Sequence, residues 1–121
     1  MGNFKKIKLN TIKDPRGSLT VLEDVLPFTI VRSYWIYDTA SISRGGHRHK
    51  ETWQAFVAVK GTVSVFMSDG DVAETCVLSS PDQCLIVEPK DWHSMDFEQG
   101  SVLLVFASAI YDENDYVYEK Y

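Results

Sequence analysis

Short runs rich in β-branched and aromatic residues, each closed by a turn signal, recur from one end of the chain to the other, and no stretch sustains the periodicity of an amphipathic helix. Strands are predicted at residues 4–9, 19–22, 28–37, 52–59, 62–67, 74–78, 84–87, 93–97 and 102–108. Asp14-Pro15-Arg16-Gly17, Lys60-Gly61, Ser68-Asp69-Gly70-Asp71 and Ser79-Ser80-Pro81-Asp82 punctuate them, and a series of hairpins is the simplest connection. Roughly eight or nine strands in about 105 residues require a sandwich or barrel, because only closure or face-to-face pairing manages so many edges. The 121 residues leave room for one such domain. Along 28–37, Ile30, Arg32, Tyr34 and Ile36 share one face and Val31, Ser33, Trp35 and Tyr37 the other, with both faces expected to be partly buried. The segment from Tyr111 to Tyr116 fits either a short helical turn or an extended cap.

Chemistry concentrates in Arg44-Gly45-Gly46-His47-Arg48-His49-Lys50. On an extended segment, histidines at i and i+2 point to the same face, so His47 and His49 converge on one ion or one substrate. The glycines permit close backbone approach, and Arg44, Arg48 and Lys50 make this the most cationic stretch of the chain. His93, the remaining histidine, opens a later strand and is expected either to face the same interior or to hydrogen-bond within the core.

The run His47-Arg48-His49, then Gln54, then Gly61 resembles the first motif of the cupins, and Glu88-Pro89-Lys90-Asp91-Trp92-His93 resembles a degenerate second motif. The resemblance implies a single all-β cupin domain, a double-stranded β-helix or jelly-roll barrel. Gln54 stands where cupins carry a metal-binding carboxylate, and Lys90 where the motif has glycine. The chain resembles the sugar nucleotide 3,4-ketoisomerases more specifically, through Arg44 to Lys50, Gln54, Trp92-His93 with Met95, Val102 to Val105, Ala107-Ser108 and Tyr111-Asp112-Glu113-Asn114-Asp115-Tyr116. This likeness covers most of the chain from Arg16-Gly17 onward, with two departures. Arg48 sits between the histidines where a small residue is usual, and Val117-Tyr118 follows where an arginine is expected.

That resemblance implies an isomerase moving the keto group of a dTDP-linked 4-keto-6-deoxyhexose from C4 to C3 through an enediolate. Such a reaction takes a proton from C3 and delivers one to C4, work for a base that titrates near neutrality. His49 with His47 as partner, or the reverse, fills that role, and Tyr34 is the implied donor to the enediolate oxygen. Arg44, Arg32 and Arg16 are candidates for the diphosphate, because guanidinium forks match phosphate oxygens. Gln54, His93 and Lys50 complete the expected substrate-binding set. No cofactor and no metal is expected: three imidazoles can hold zinc, but an amide is a poorer ligand than a carboxylate, and Lys50 and Arg44 disfavour a divalent cation. A metal-dependent cupin enzyme and a non-catalytic nucleotide-sugar binding cupin are the alternatives.

The net charge of -5 argues against nucleic acid and anionic membranes as partners. Cys76 and Cys84 lack the spacing of a metal site or a disulfide scaffold and are expected to be buried thiols. The N-terminus has no apolar signal-peptide core, so a cytoplasmic location is expected. Trp35, Trp53 and Trp92 are expected mostly in the core. A homodimer, with the strand at 4–9 open to exchange between subunits, is the expected assembly.

Overall fold

The computed structural model describes residues 4–39 and 42–121, and their backbone is almost wholly extended. Numbered along the chain, strands β1 (Lys5–Lys8), β9 (Gln83–Val87), β6 (Gln54–Lys60), β11 (Val102–Ala107) and β4 (Arg32–Ile36) form one antiparallel sheet in that spatial order. A second sheet runs β12 (Tyr116–Val117), β5 (Arg44–His49), β10 (Trp92–Phe97), β7 (Val63–Ser68) and β8 (Ala73–Leu78). Strands β2 (Asn10–Asp14) and β3 (Gly17–Val21) pair with each other as a separate hairpin. No helix among the described residues is long and apolar enough to cross a membrane.

From β4 to β11 every connection changes sheet except the β7–β8 hairpin. This alternation builds the jelly-roll barrel, and it corrects the expectation of successive hairpins at Lys60-Gly61. There the chain leaves one sheet for the other, because Gly61 (φ 77°) is packed against the β10–β11 connection. A Cβ on Gly61 would lie 2.3 Å from Ser101 Oγ, which accepts from Thr62 N–H and donates to its carbonyl. At Ser68-Asp69-Gly70-Asp71 the expected hairpin does form, with Ser68 opposite Ala73.

The main core lies between the sheets and includes Phe56, Val65, Met67, Leu85, Leu103 and Val105. Alternate residues of β7 point into it, as the strand period requires. The first sheet is covered on its outer face as well: Leu22, Leu26, Phe28 and Trp53 pack over Ala55, Val57 and Ile86. That double burial explains the unbroken apolar run of β6. It also shortens the strand predicted at 28–37, since Phe28 belongs to the irregular cover and regular pairing with β11 spans only Arg32–Ile36. Beyond the cover the outer face of β4 is open, so Trp35 is 61% exposed, contrary to the expected core position.

The strand expected at 4–9 pairs within its own chain, β1 against β9. Cys84 is buried and Cys76 half-buried, both are free thiols, and burial pushes Cys84 up to about 11. Both readings of the tail occur in succession, a 3-10 turn at Glu113–Asp115 followed by β12.

Candidate active site

Strand β5 delivers the first two histidines. Its register against β10 shifts between His93 and Ser94, where Gly46 is the extra residue of a bulge: His93 lies opposite His47, and Ser94 opposite Gly45. Gly45 and Gly46 have φ of 86° and 79°, and a Cβ on Gly45 would meet the His93 carbonyl oxygen at 3.0 Å. The two glycines thus let β5 press onto β10 and bring His47 beside His93, with ring centroids 4.9 Å apart. Strand alternation carries His49 to the same side, 5.0 Å from His47. On the far edge Tyr116 of β12 faces His49 and touches both β5 histidines, at 4.5 and 4.6 Å between centroids.

Two of the three imidazoles are oriented from behind. His93, 1% exposed, donates from Nδ1 to the Asp91 carbonyl at 3.0 Å, within a turn that Asp91 itself closes by accepting from Glu88 N–H. His49 Nδ1 lies 2.9 Å from Asp115 Oδ2. The Asp115 carboxylate also accepts from Thr52 Oγ1 at 2.5 Å and from Glu51 N–H at 2.8 Å. Burial opposes its ionisation, but these donors outweigh that and hold Asp115 below the usual carboxylate range. An ionised carboxylate only accepts, so His49 carries its proton on Nδ1 and keeps a lone pair on Nε2. That Nε2 is buried and finds no partner among the described residues.

Burial lowers all three histidines. His47 falls to about 4, with the neighbouring His49 adding to the effect, and His93 to about 3. Burial lowers His49 as well, against the pull of Asp115 toward the protonated form. The cluster is therefore neutral at pH 7 and able to accept a proton.

His47 and His93 line a cavity of about 560 Å³ together with Arg32, Tyr34, Arg44, Tyr111, Tyr116 and Tyr118. His49 sits behind this wall, one of its ring nitrogens within 4.8 Å of a nitrogen of each of the other two histidines. Gln54, 1% exposed, donates from Nε2 to the Tyr34 hydroxyl at 2.9 Å, which leaves the tyrosine proton free to point elsewhere. Burial raises Tyr34, so the hydroxyl stays protonated. Arg32 lies over the Tyr34 ring at 5.3 Å and over Tyr111 at 5.9 Å. A neutral histidine group, a hydroxyl donor and two guanidinium groups thus meet in one cavity.

Of the residues singled out from sequence, His47, His93, Tyr34, Arg32 and Arg44 share the cavity wall, with His49 and Gln54 immediately behind it. Lys50 and Arg16 are elsewhere. Lys50 follows the last residue of β5 and is exposed beside Asp112 and Asn114, in a different cavity. Arg16 is at the tip of the β2–β3 hairpin, where its guanidinium pairs with Asp14 at 2.7 Å. Asp115, Thr52 and Tyr116 were missed as site residues. Asp115 lies 66 residues from His49 in the chain, and no periodicity links them. The only signal was its place in the Tyr111 to Tyr116 segment.

The three histidines could also hold a metal ion, with one ligand nitrogen from each lying within 4.8 Å of the others. Gln54 Oε1, buried and unpartnered, is a further neutral donor nearby.

The family described as FdtA: WxcM-like, C-terminal matches residues 2–121. The chain belongs to this family. This FdtA-family chain is 42% identical over 119 residues to the TDP-4-oxo-6-deoxy-alpha-D-glucose-3,4-oxoisomerase of Aneurinibacillus thermoaerophilus, covering 95% of its own length and 82% of the relative's. A 3,4-ketoisomerase from Helicobacter canadensis superposes with a TM-score of 0.91 at 36% identity, over 97% of this chain and 91% of the other. A mutant of the 3,4-ketoisomerase from Thermoanaerobacterium thermosaccharolyticum, in complex with TDP-4-keto-6-deoxyglucose, gives 0.92 at 36% identity, over 98% and 89%. The FdtA-family assignment thus agrees with the fold and the family expected from the histidine and tyrosine segments.

Proposed function

We propose that the protein is a 3,4-ketoisomerase of a dTDP-linked 4-keto-6-deoxyhexose, working with His49 and His47 and without metal. The observation that carries this reading is the Asp115–His49 pair, which keeps a lone pair on a buried imidazole beside a cavity holding Arg32, Arg44 and Tyr34. His49, acting through the neighbouring His47 on the cavity wall, draws off the C3 proton, and the electron pair moves to form the C3–C4 double bond of an enediolate with charge on O4. Tyr34 donates a hydrogen bond to that oxygen. The proton then returns to C4, while the C3 hydroxyl passes its proton to O4, so that C3 becomes the new carbonyl and C4 carries the hydroxyl. No atoms are gained or lost, and the transferred pair of electrons stays within the sugar. Gln54 favours the protonated form of His49, supporting the intermediate state of the base. His47, on the cavity wall, is its partner on the substrate side. Arg44 and Arg32 bind the diphosphate, so that an acidic protein offers an anion a locally cationic cavity.

The same reading takes the protein to be a cytoplasmic homodimer. The exposed Ile12 and Leu19 of the β2–β3 hairpin support contact with a second copy, and light scattering tests the assembly. The reaction is tested by NMR of TDP-4-keto-6-deoxyglucose incubated with the protein and with His49→Asn. Conversion to a 3-keto sugar by the wild type, lost in the variant while TDP binding persists, is the expected result. Full turnover by His49→Asn would remove the mechanism, and tight TDP binding without turnover would make the protein a binding cupin.

A further inference from the structure

The two departures from the family pattern, Arg48 and Val117-Tyr118, are set side by side by the fold. Alternation along β5 aims Arg48 away from its histidine neighbours, toward the outer face of the second sheet. Strand β12 pairs beside it, with Val117 opposite Arg48. Beyond β12 the chain turns over the sheet edge, and its last residues lie against that outer face. There Arg48 donates to the Glu119 carbonyl and to the Tyr121 hydroxyl, both at 3.3 Å, with its guanidinium 4.1 Å from the centre of the Tyr121 ring. Tyr121 in turn donates to the Lys90 carbonyl at 2.5 Å, and Trp92 Nε1 donates to the Tyr118 carbonyl at 3.2 Å.

These contacts fix where the tail turns, and Tyr118 is at the turn. Its side chain lines the histidine cavity, stacked on Tyr116 at 6.3 Å and 6.2 Å from the His47 ring. It is nonetheless 70% exposed, an aromatic face held over the cavity with little of the described chain covering it. Holding a large side chain open costs conformational freedom, which the stacking on Tyr116 and the latch on the other side of the sheet offset.

We propose that Tyr118 contacts the sugar of the bound nucleotide sugar and covers that end of the cavity, and that Arg48 is a positioning residue that latches it from the opposite face of the sheet. The proposal rests on the isomerase reading for its ligand. An aromatic ring close to His47 offers a matching surface to the C–H face and methyl group of a 6-deoxysugar while the arginines hold the phosphates. The planar guanidinium is suited to the latch because it bonds in two directions and stacks at once, which an ammonium does not.

The test uses Tyr118→Ala, Arg48→Ala and Arg48→Lys in the full chain. Steady-state kinetics with TDP-4-keto-6-deoxyglucose is combined with calorimetry of TDP alone and with the rate at which diethyl pyrocarbonate modifies His47, read by peptide mass spectrometry. Tyr118→Ala is expected to raise KM for the sugar nucleotide about fivefold, with TDP affinity changed less than about twofold. Both Arg48 variants are expected to raise KM in the same direction and to speed His47 modification several-fold. Because Arg48→Lys keeps the charge, its resemblance to Arg48→Ala separates the latch from attraction of the anion. An unchanged KM in Tyr118→Ala, or His47 as protected in Arg48→Ala as in the wild type, overturns the proposal. A wild type that turns over no keto sugar defeats the isomerase reading instead, and the His47 modification rates still decide the latch.

Discussion

Asp115 Oδ2 and His49 Nδ1 lie 2.9 Å apart across the join between β5 and the C-terminal turn. The contact is made by local structure on both sides. Asp112 caps the turn by accepting from Asn114 N–H, Asp115 N–H donates to the Asp112 carbonyl, and the Asp115 carbonyl accepts from Lys50 N–H at 2.9 Å. The backbone of the tail is thereby fastened to the end of β5, and the carboxylate has one place to go. Its acceptor-only character then sets which nitrogen of His49 is free.

Asp115→Asn is expected to lower kcat by about two to four orders of magnitude, because an amide can donate to Nδ1 and shift the imidazole proton to Nε2, removing the lone pair. TDP affinity should stay within a few-fold of the wild type. Nitrogen-15 NMR of the His49 ring reads the tautomer directly. An Asp115→Asn enzyme with wild-type kcat would show that the orientation of His49 does not matter to the reaction.

Tyr34→Phe removes the hydroxyl while leaving the ring between Arg32 and the core. A hydrogen bond that strengthens as charge develops on O4 predicts a fall in kcat of about a hundredfold with little change in KM. The variant also leaves Gln54 Nε2 without its partner, at a cost to stability of about 1–3 kcal/mol. A rise in KM with kcat intact would make Tyr34 a ground-state contact.

How much of this was legible in the sequence differs between strands and site. The alternation of β7 is set by one buried face and β11 is an unbroken apolar run, so the location of both followed from residue order alone. Residues 28–31 read as strand because Phe28, Ile30 and Val31 have β character, yet Phe28 is used to cover the outer face of a sheet, a tertiary demand that local pattern does not encode. The histidine geometry was legible at His47 and His49 because i, i+2 spacing on a strand fixes the face. The bulge at Gly46 that sets His47 against His93, and the carboxylate behind His49, depend on pairings between distant segments. Lys50 was misplaced for a related reason: adjacency to the histidines in sequence becomes the wrong side of the chain one residue past the end of the strand.

Arg44→Ala should weaken TDP binding by about tenfold, with the difference between variant and wild type shrinking as salt is raised, because Arg44 is exposed at the cavity and its attraction is screened. Isothermal titration at two ionic strengths measures both. Unchanged affinity would move the diphosphate away from Arg44 and leave Arg32 as the remaining cation of the cavity.

Chelation separates the base mechanism from a metal mechanism at the same three histidines. Their nitrogens lie within 4.8 Å of one another, but the ligand atoms are all neutral and Arg32 and Arg44 are beside them, which disfavours a divalent cation there. Prolonged treatment with EDTA is expected to leave kcat unchanged. Stoichiometric zinc in the purified protein, with activity lost on its removal and restored on its return, would replace His49 as base by a metal-centred reaction.

Acid lability follows from the buried histidines, and its sign is fixed by the direction of their shifts. His47 and His93 titrate at about 4 and about 3 in the folded protein, against 6.5 when unfolded. Above pH 6.5 neither state binds the extra protons, and their contribution to stability is fully present. As the pH falls from there toward the folded values, the unfolded chain takes up protons that the native chain refuses, and stability is lost at about 1.4 kcal/mol per pH unit for each group. Urea unfolding of the wild type between pH 7 and pH 4.5 should therefore show a steep decline. In His93→Gln one of the two groups is gone, so whatever the variant's stability at pH 7, its decline should be shallower by about 1.4 kcal/mol per unit. Equal slopes for the two proteins would mean that His93 protonates as readily in the folded state as in the unfolded one, and that its burial does not oppose the charge.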